Sequence, residues 1–184
     1  MTFFDKSALA EELAAFGRAH PEHADDVSLF LALLADAENP FVRARLAGHF
    51  TGSAWLVDAS GARVLLTHHR KLNRWLQLGG HADGEVELGL VALREAIEES
   101  GIPELVLEPG VFDLDRHVIP ARGAEPEHFH YDVRYVVRTT GNESFVAGEE
   151  SHALAWRSIA ELAGDPDTDE SMRRMARRWL ERKG

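Results

Sequence analysis

Residues 79–102, GGHADGEVELGLVALREAIEESGI, constrain this chain more than any other stretch. A strand-like run over 72–78 (LNRWLQL) stops at Gly79-Gly80, and a helical pattern then runs from about Glu87 to Ser100. Gly101 stands where a left-handed cap belongs, with Pro103 just beyond it. At about 100° per residue, Leu90, Leu93 and Ile97 fall within a ~60° arc, which predicts the core face. Glu95, Glu98 and Glu99 gather on the opposite face by the i, i+3 and i+4 rule. Like charges at this spacing cost a few tenths of a kcal/mol per pair, and the helix dipole adds to the cost near a C-terminus. One reading is an acidic, solvated face, since Glu is a good helix former. The other follows from the glycines Gly79, Gly80 and Gly84, which predict a loop that lets backbone approach a ligand. A strand, a glycine loop and a carboxylate helix make a holder for a hard divalent cation. Oxygen ligands without sulfur favour Mg²⁺, with Mn²⁺ second.

The rest of the chain supplies a frame for that segment. Leu9, Leu13 and Phe16, then Leu29, Leu33 and Leu34, recur at helical spacing, with a break at Pro21 and an end at Asn39-Pro40. The first 47 residues therefore read as a helical arm packed on the main domain, the alternatives being a dimerisation element or a lid. From His49 the texture changes. Residues 50–58 and 63–68 predict a hairpin around the turn residues 58–61, and strand-like text resumes at 105–119, 129–138 and 153–156. Helices are predicted near 158–163 and over 167–182. Strands and helices without regular βαβ alternation predict an α+β fold with a mixed sheet.

Charge and composition remove several function classes. Of 184 residues, 45% are hydrophobic and 28% charged, as in a globular domain. Lys and Arg total 20 against 31 Asp and Glu, a formal charge of -11, which disfavours a nucleic-acid backbone as partner. There is no cysteine, so disulfides, thiolate zinc sites and thiol catalysis are excluded. No apolar run is long enough for a bilayer and no secretion pattern opens the chain, so no membrane partner is expected and the cytoplasm is the expected location.

The 79–102 stretch resembles the signature of the Nudix hydrolases, G-x5-E-x7-R-E-U-x-E-E-x-G-U, where U is apolar. Gly80 matches the opening glycine, and Arg94, Glu95, Ala96, Glu98, Glu99, Gly101 and Ile102 match the second half. The first glutamate is replaced by Val86, which is flanked by Glu85 and Glu87. In the family that glutamate supports the loop and helix. Glu85 or Glu87 is expected to take over this support, pairing with Arg94.

The resemblance implies an α/β/α sandwich with a mixed sheet over 48–184 and a helical extension over 1–47. It implies hydrolysis of a pyrophosphate bond in a nucleoside diphosphate linked to another group, a small-molecule substrate. Divalent cations would screen the phosphates and acidify water. Glu95 and Glu99 are expected as principal metal ligands and Glu98 as a further one, with Arg94 orienting them. The general base is expected to be Glu95, or Glu149 or Glu150 in the later Gly148-led loop. Three rivals follow. The isomerases that share the scaffold typically use a catalytic cysteine, which this chain lacks. A non-catalytic nucleotide- or partner-binding module is left open by Val86. An RNA-end pyrophosphohydrolase would use the arginines of the final helix. A homodimer through the N-terminal helices is the further partner expected.

Other side chains have two readings each. His81 follows Gly80 and is expected either to touch a phosphate or to cap the loop. Arg74, Arg134 and Arg138 are candidate phosphate clamps because Arg offers a planar fork of donors. His68-His69-Arg70-Lys71 is a small basic cluster or a solvated turn. His128 and His130 share one side of a strand. Spacing places no third ligand beside them, which favours a covered sheet face over a metal or substrate contact.

Overall fold

The structure is a computed structural model and describes residues 6–69, 73–146 and 151–182. In chain order its elements are helices α1 (Ser7–Ala19) and α2 (Ala24–Ala35), with a 3-10 turn at Pro21–His23 between them, and strands β1 (Gly48–Val57), β2 (Arg63–His69), β3 (Arg74–Leu76) and β4 (Leu78–His81). Helix α3 (Leu88–Ser100) follows, then β5 (Leu105–Leu107), β6 (Asp113–Ile119), β7 (His128–Thr139), β8 (Ser151–Ser158), α4 (Ile159–Gly164) and α5 (Glu170–Glu181). This is an α+β fold with a mixed sheet. Hydrogen bonds link the strands as β3-β2-β1-β7-β5, with β4 on β1, β6 on β7 and β8 on β2. Two differences from the sequence reading matter. The run 105–119 is two strands, β5 and β6, and Gly79-Gly80 continue a strand rather than open a loop.

Contacts divide the chain into two compact units. The first takes in the chain up to Ser53, Gly79–Ala92 and Pro109–Tyr135; the second takes in Ala54–Leu78, Leu93–Glu108 and the chain from Val136 onward.

The core of the first unit includes the N-terminal helices. Leu9, Leu13 and Phe16 of α1 are buried, as are Val27, Phe30, Leu33 and Leu34 of α2. Phe30 lies 5.2 Å from Tyr131 and 6.1 Å from Phe50, centroid to centroid. Tyr135 donates its hydroxyl hydrogen to Glu12 at 2.8 Å. β6 and β7 pair antiparallel from Asp113↔Arg134 to Ile119↔His128. Strand alternation then puts Asp113, Asp115 and His117 on one side of β6, and His128, His130, Asp132 and Arg134 on one side of β7. His49, Thr51 and Ser53 likewise share one side of β1. Arg134 is buried and pairs with Asp132, Asp113 and Asp115 at 2.8, 3.1 and 3.3 Å. Thr51 and Ser53 donate to the Asp132 carboxylate at 2.9 and 2.7 Å. Arg134 is thus tied into a buried ionic network, and the reading of it as a phosphate clamp is corrected.

In the second unit β2 is central. It pairs antiparallel with β1 (Val57↔Val64), β3 (Thr67↔Leu76) and β8 (Leu65↔Trp156), while β5 pairs with the end of β7 (Val106↔Arg138). Trp55, Leu56, Leu65, Leu66, Met175 and Trp179 are buried in its core. Both helices at its C-terminal end carry N-caps: Ser158 accepts from the Glu161 N–H and Asp169 from the Ser171 N–H. Arg138 donates to Glu108 at 2.8 Å, so an acidic partner already holds this second clamp candidate. Among the described residues no helix is long and apolar enough to cross a membrane.

Candidate active site

The turn that leads into α3 is built from the Asp83-Gly84 pair. Both residues have positive φ, 49° and 95°, as a type I′ turn requires. The Glu85 N–H donates to the Ala82 carbonyl at 2.9 Å across it. Asp83 takes both forks of Arg43 at 2.7 Å, and the Gly84 N–H donates to the Phe41 carbonyl at 2.7 Å. The tight approach at Gly79 serves packing. A Cβ on Gly79 would stand 2.2 Å from Ser53 Oγ. Gly52 plays the matching part under α3, where a Cβ would meet the Leu88 carbonyl at 2.7 Å.

Glu85 uses its carboxylate on backbone, accepting from the N–H groups of Val86 at 2.8 Å and Glu87 at 3.0 Å. Two donors at the mouth of α3 are thereby satisfied. The Glu87 carbonyl accepts from the Leu90 and Val91 N–H groups as the first bonds of the helix, and its side chain is exposed. Glu85 therefore acts as a cap on the helix entry, and the expected pairing of Glu85 or Glu87 with Arg94 is not among the contacts of either glutamate. Arg94 donates to Glu95 Oε1 at 2.9 Å.

The phase of α3 differs from the sequence reading. Leu88, Val91, Ala92 and Ala96 are buried, whereas Leu90 is 46% exposed and Leu93 and Ile97 are half-buried. Glu95 and Glu99 lie about 40° apart and within the arc of the buried residues. Both are half-buried, and Glu98 is exposed. The arc that holds the buried residues Leu88, Val91, Ala92 and Ala96 thus also holds two carboxylates one turn apart. The missing side chain of Gly52 admits the first turn of α3, with Leu88 and Val91 against it, and this sets which side of the helix entry is buried. Two partly desolvated carboxylates at i, i+4 repel each other unless a cation lies near. With oxygen donors alone, this set fits a hard divalent ion such as Mg²⁺ or Mn²⁺.

The remaining expected site residues are dispersed. Gly80 lies within β4, and Arg74 is exposed and reaches Asp169 at 3.4 Å. Glu149 and Glu150, with Arg70 and Lys71 of the small basic cluster, lie outside the described residues. His81 closes β4, with ring centroids 5.2 Å from His49 and 4.9 Å from His130. Burial holds its pKa down to about 4, and the same cause holds His130 down to about 2, with the neighbouring His81 adding to the effect. The imidazoles missing from the spacing argument for His128 and His130 are therefore two, His49 from β1 and His81 from β4. A polar residue alternating along each strand was the legible signal; which strands meet was not.

Solved structures share this fold. An Ap4A hydrolase of C. elegans, in a binary complex, matches with a TM-score of 0.58 at 15% identity, over 73% of this chain and 96% of that one. A MutT protein from Methanosarcina mazei Go1 gives 0.57 at 16%, over 76% and 97%. The E. coli dihydroneopterin triphosphate pyrophosphohydrolase gives 0.57 at 16%, over 72% and 95%. At such identities the likeness is one of fold. No curated protein sequence matches the chain. The NUDIX domain profile matches residues 49–179, well over half of the chain. The chain therefore belongs to the Nudix family, as a hydrolase acting on pyrophosphate bonds.

Proposed function

We propose that the chain hydrolyses a pyrophosphate bond in a nucleoside diphosphate linked to another group, with Mg²⁺ or Mn²⁺ held by Glu95, Glu98 and Glu99. The observation that carries this reading is the inward phase of α3, which turns Glu95 and Glu99 toward its packed side. When bound, the cation supplies neutralisation of the diphosphate and a lowered pKa for coordinated water. Arg94 binds one oxygen of Glu95 and so orients that carboxylate. The proton of the attacking water passes to the other oxygen of Glu95, or to Glu149 or Glu150. Glu85 fixes the entry of α3, and with it the direction of the three carboxylates. Gly80 and Arg74 are the substrate contacts of this reading. Two of the solved relatives bear the names of phosphorylated compounds, Ap4A and dihydroneopterin triphosphate, which supports a substrate of that general kind. An RNA end is the weaker choice. It would draw on α5, where Arg173 already pairs with Glu170 and Arg182 with Glu108.

The test is a panel of nucleoside triphosphates, dinucleoside polyphosphates and nucleoside diphosphate sugars, with product identification in Mg²⁺ and in chelator. Release of a nucleoside monophosphate in Mg²⁺ alone is expected for at least one of them. Glu99→Gln should lower that turnover by about 100-fold or more, since even groups that only orient a metal ligand are worth 10–100-fold. Turnover that ignores both chelator and Glu99→Gln overturns the assignment.

A further inference from the structure

Five imidazoles meet in the first unit. His49 lies at the start of β1, His81 at the end of β4, His128 and His130 on β7, and His117 on β6 directly opposite His130. Ring centroids of His49 stand 5.2, 5.2 and 5.0 Å from those of His81, His128 and His130, and His117 is 5.5 Å from His130. One nitrogen from each of His49, His81 and His130 lies within 4.8 Å of the other two.

We infer that His49, His81 and His130 form a binding site for a divalent transition-metal ion, with Zn²⁺ the best fit, built from residues other than the Glu95, Glu98 and Glu99 set.

The chemistry of the donors makes the choice of ion. Neutral imidazole suits zinc, cobalt and nickel, whereas Mg²⁺ takes oxygen. The tautomers follow from the backbone. His49 Nδ1 lies 3.4 Å from the Arg45 carbonyl, which can only accept, so the ring proton sits on Nδ1 and Nε2 keeps its lone pair. His49 is 1% exposed, and its Nε2 is buried without a hydrogen-bond partner. Leaving a buried polar atom so is costly, and a bound cation would offset that cost. His128 repeats the pattern, with Nδ1 2.9 Å from the Pro126 carbonyl and Nε2 3.3 Å from His130 Nε2. Anchoring one ring nitrogen on a carbonyl is the usual way a protein aims the other at a metal. His128 holds the His130 ring by that contact, and His117 is held in turn by Asp115 at 3.1 Å. Zinc bound about 2.0–2.1 Å from each nitrogen needs the nitrogens about 3.4 Å apart, so from separations within 4.8 Å the rings need to close by up to about 1.4 Å. Three histidines leave a fourth position for water or an anion oxygen. The expected phosphate contact of His81 gives way here to the role of ligand.

The experiment titrates the full chain, stripped of metal, with Co²⁺ in excess Mg²⁺, so that Mg²⁺ occupies oxygen sites. One Co²⁺ per chain is expected, with the strong visible bands of four-coordinate cobalt, displaced by Zn²⁺. His81→Gln and His130→Gln should each weaken binding by at least about 10-fold. Glu99→Gln should leave it in place. The absence of a saturable cobalt spectrum overturns the site, as does binding that survives both histidine changes or is lost in Glu99→Gln. Buried histidine variants can fail to fold, so X-ray absorption on the unaltered, zinc-loaded chain supplies a second measurement. A shell containing three imidazoles supports the site, and a shell of oxygen alone overturns it. Mg²⁺-dependent turnover is scored separately, so the two proposals fail independently.

Discussion

The first unit carries two polar clusters on much the same strands, and they are built oppositely. At one end of the pairing between β6 and β7, Asp113, Asp115 and Asp132 surround Arg134, and Thr51 and Ser53 of β1 complete the network. At the other end, His117, His128 and His130 meet His49 of β1 and His81 of β4. The acidic cluster contains its own cation, fixed by three carboxylates. The histidine cluster contains donor atoms and no cation among its own rings. Burial pushes the pKa values of His49, His81 and His130 down, and the buried His49 Nε2 has no hydrogen-bond partner. A donor set closed by a side chain of the same protein is structural; a donor set left without one is where an ion from solution can bind.

That contrast is tested first at its stronger end. Arg134→Met leaves Asp113 and Asp132 buried without their cation. A loss of about 3–5 kcal/mol in urea unfolding is expected, as for other broken buried pairs. A loss below about 1 kcal/mol means the aspartates do not depend on Arg134. The helix α3 carboxylates come next. Glu99→Gln is expected to cut turnover about 100-fold, or about 2.7 kcal/mol at the barrier, while the urea midpoint stays put.

The histidine end is read by pH. His81 and His130 titrate in the folded chain far below the ordinary histidine value of 6.5. The unfolded chain therefore binds more protons than the folded one below about pH 6.5, so stability falls as pH falls. The slope is up to about 1.4 kcal/mol per pH unit for each ring between about pH 6 and pH 4. The groups facing these rings are His49, His117 and His128, with Arg43, Asp83 and Glu125 acting at longer range. Urea midpoints of the metal-free chain at pH 7, 6 and 5 measure it. A flat profile would mean the rings are not held neutral, and His81→Gln should make the profile shallower. The smallest effect is expected at the entry to α3. Glu85→Ala removes acceptors from the Val86 and Glu87 N–H groups and should cost about 1 kcal/mol in the same assay.

The grouping of carboxylates on α3 was largely legible because it is local. Glu95, Glu98, Glu99 and Arg94 lie within six residues, and helical spacing alone puts the carboxylates together. The wrong part of that reading was the core face. Leu90, Leu93 and Ile97 form a plausible apolar stripe, but the inward side was decided by Gly52, whose missing side chain admits Leu88 and Val91. A glycine 36 residues upstream gives a helical wheel no sign of itself. The capping by Glu85 was half legible: a carboxylate had to stand near Val86, yet only the turn at Asp83-Gly84 fixed which backbone groups it would reach.

The sequence by itself determined the type of most elements, the family signature and the gathering of carboxylates on α3, because each rests on periodicities and turn chemistry that act over a few residues. The tertiary structure alone decided which strands lie side by side. Alternation names the polar side of β1, β6 and β7 separately, but only pairing brings Asp113 and Asp115 to Arg134, and His49 and His81 to His130. Strand pairing is set by burial of side chains far apart in the chain, and for that reason the histidine cluster has no spacing by which to read it.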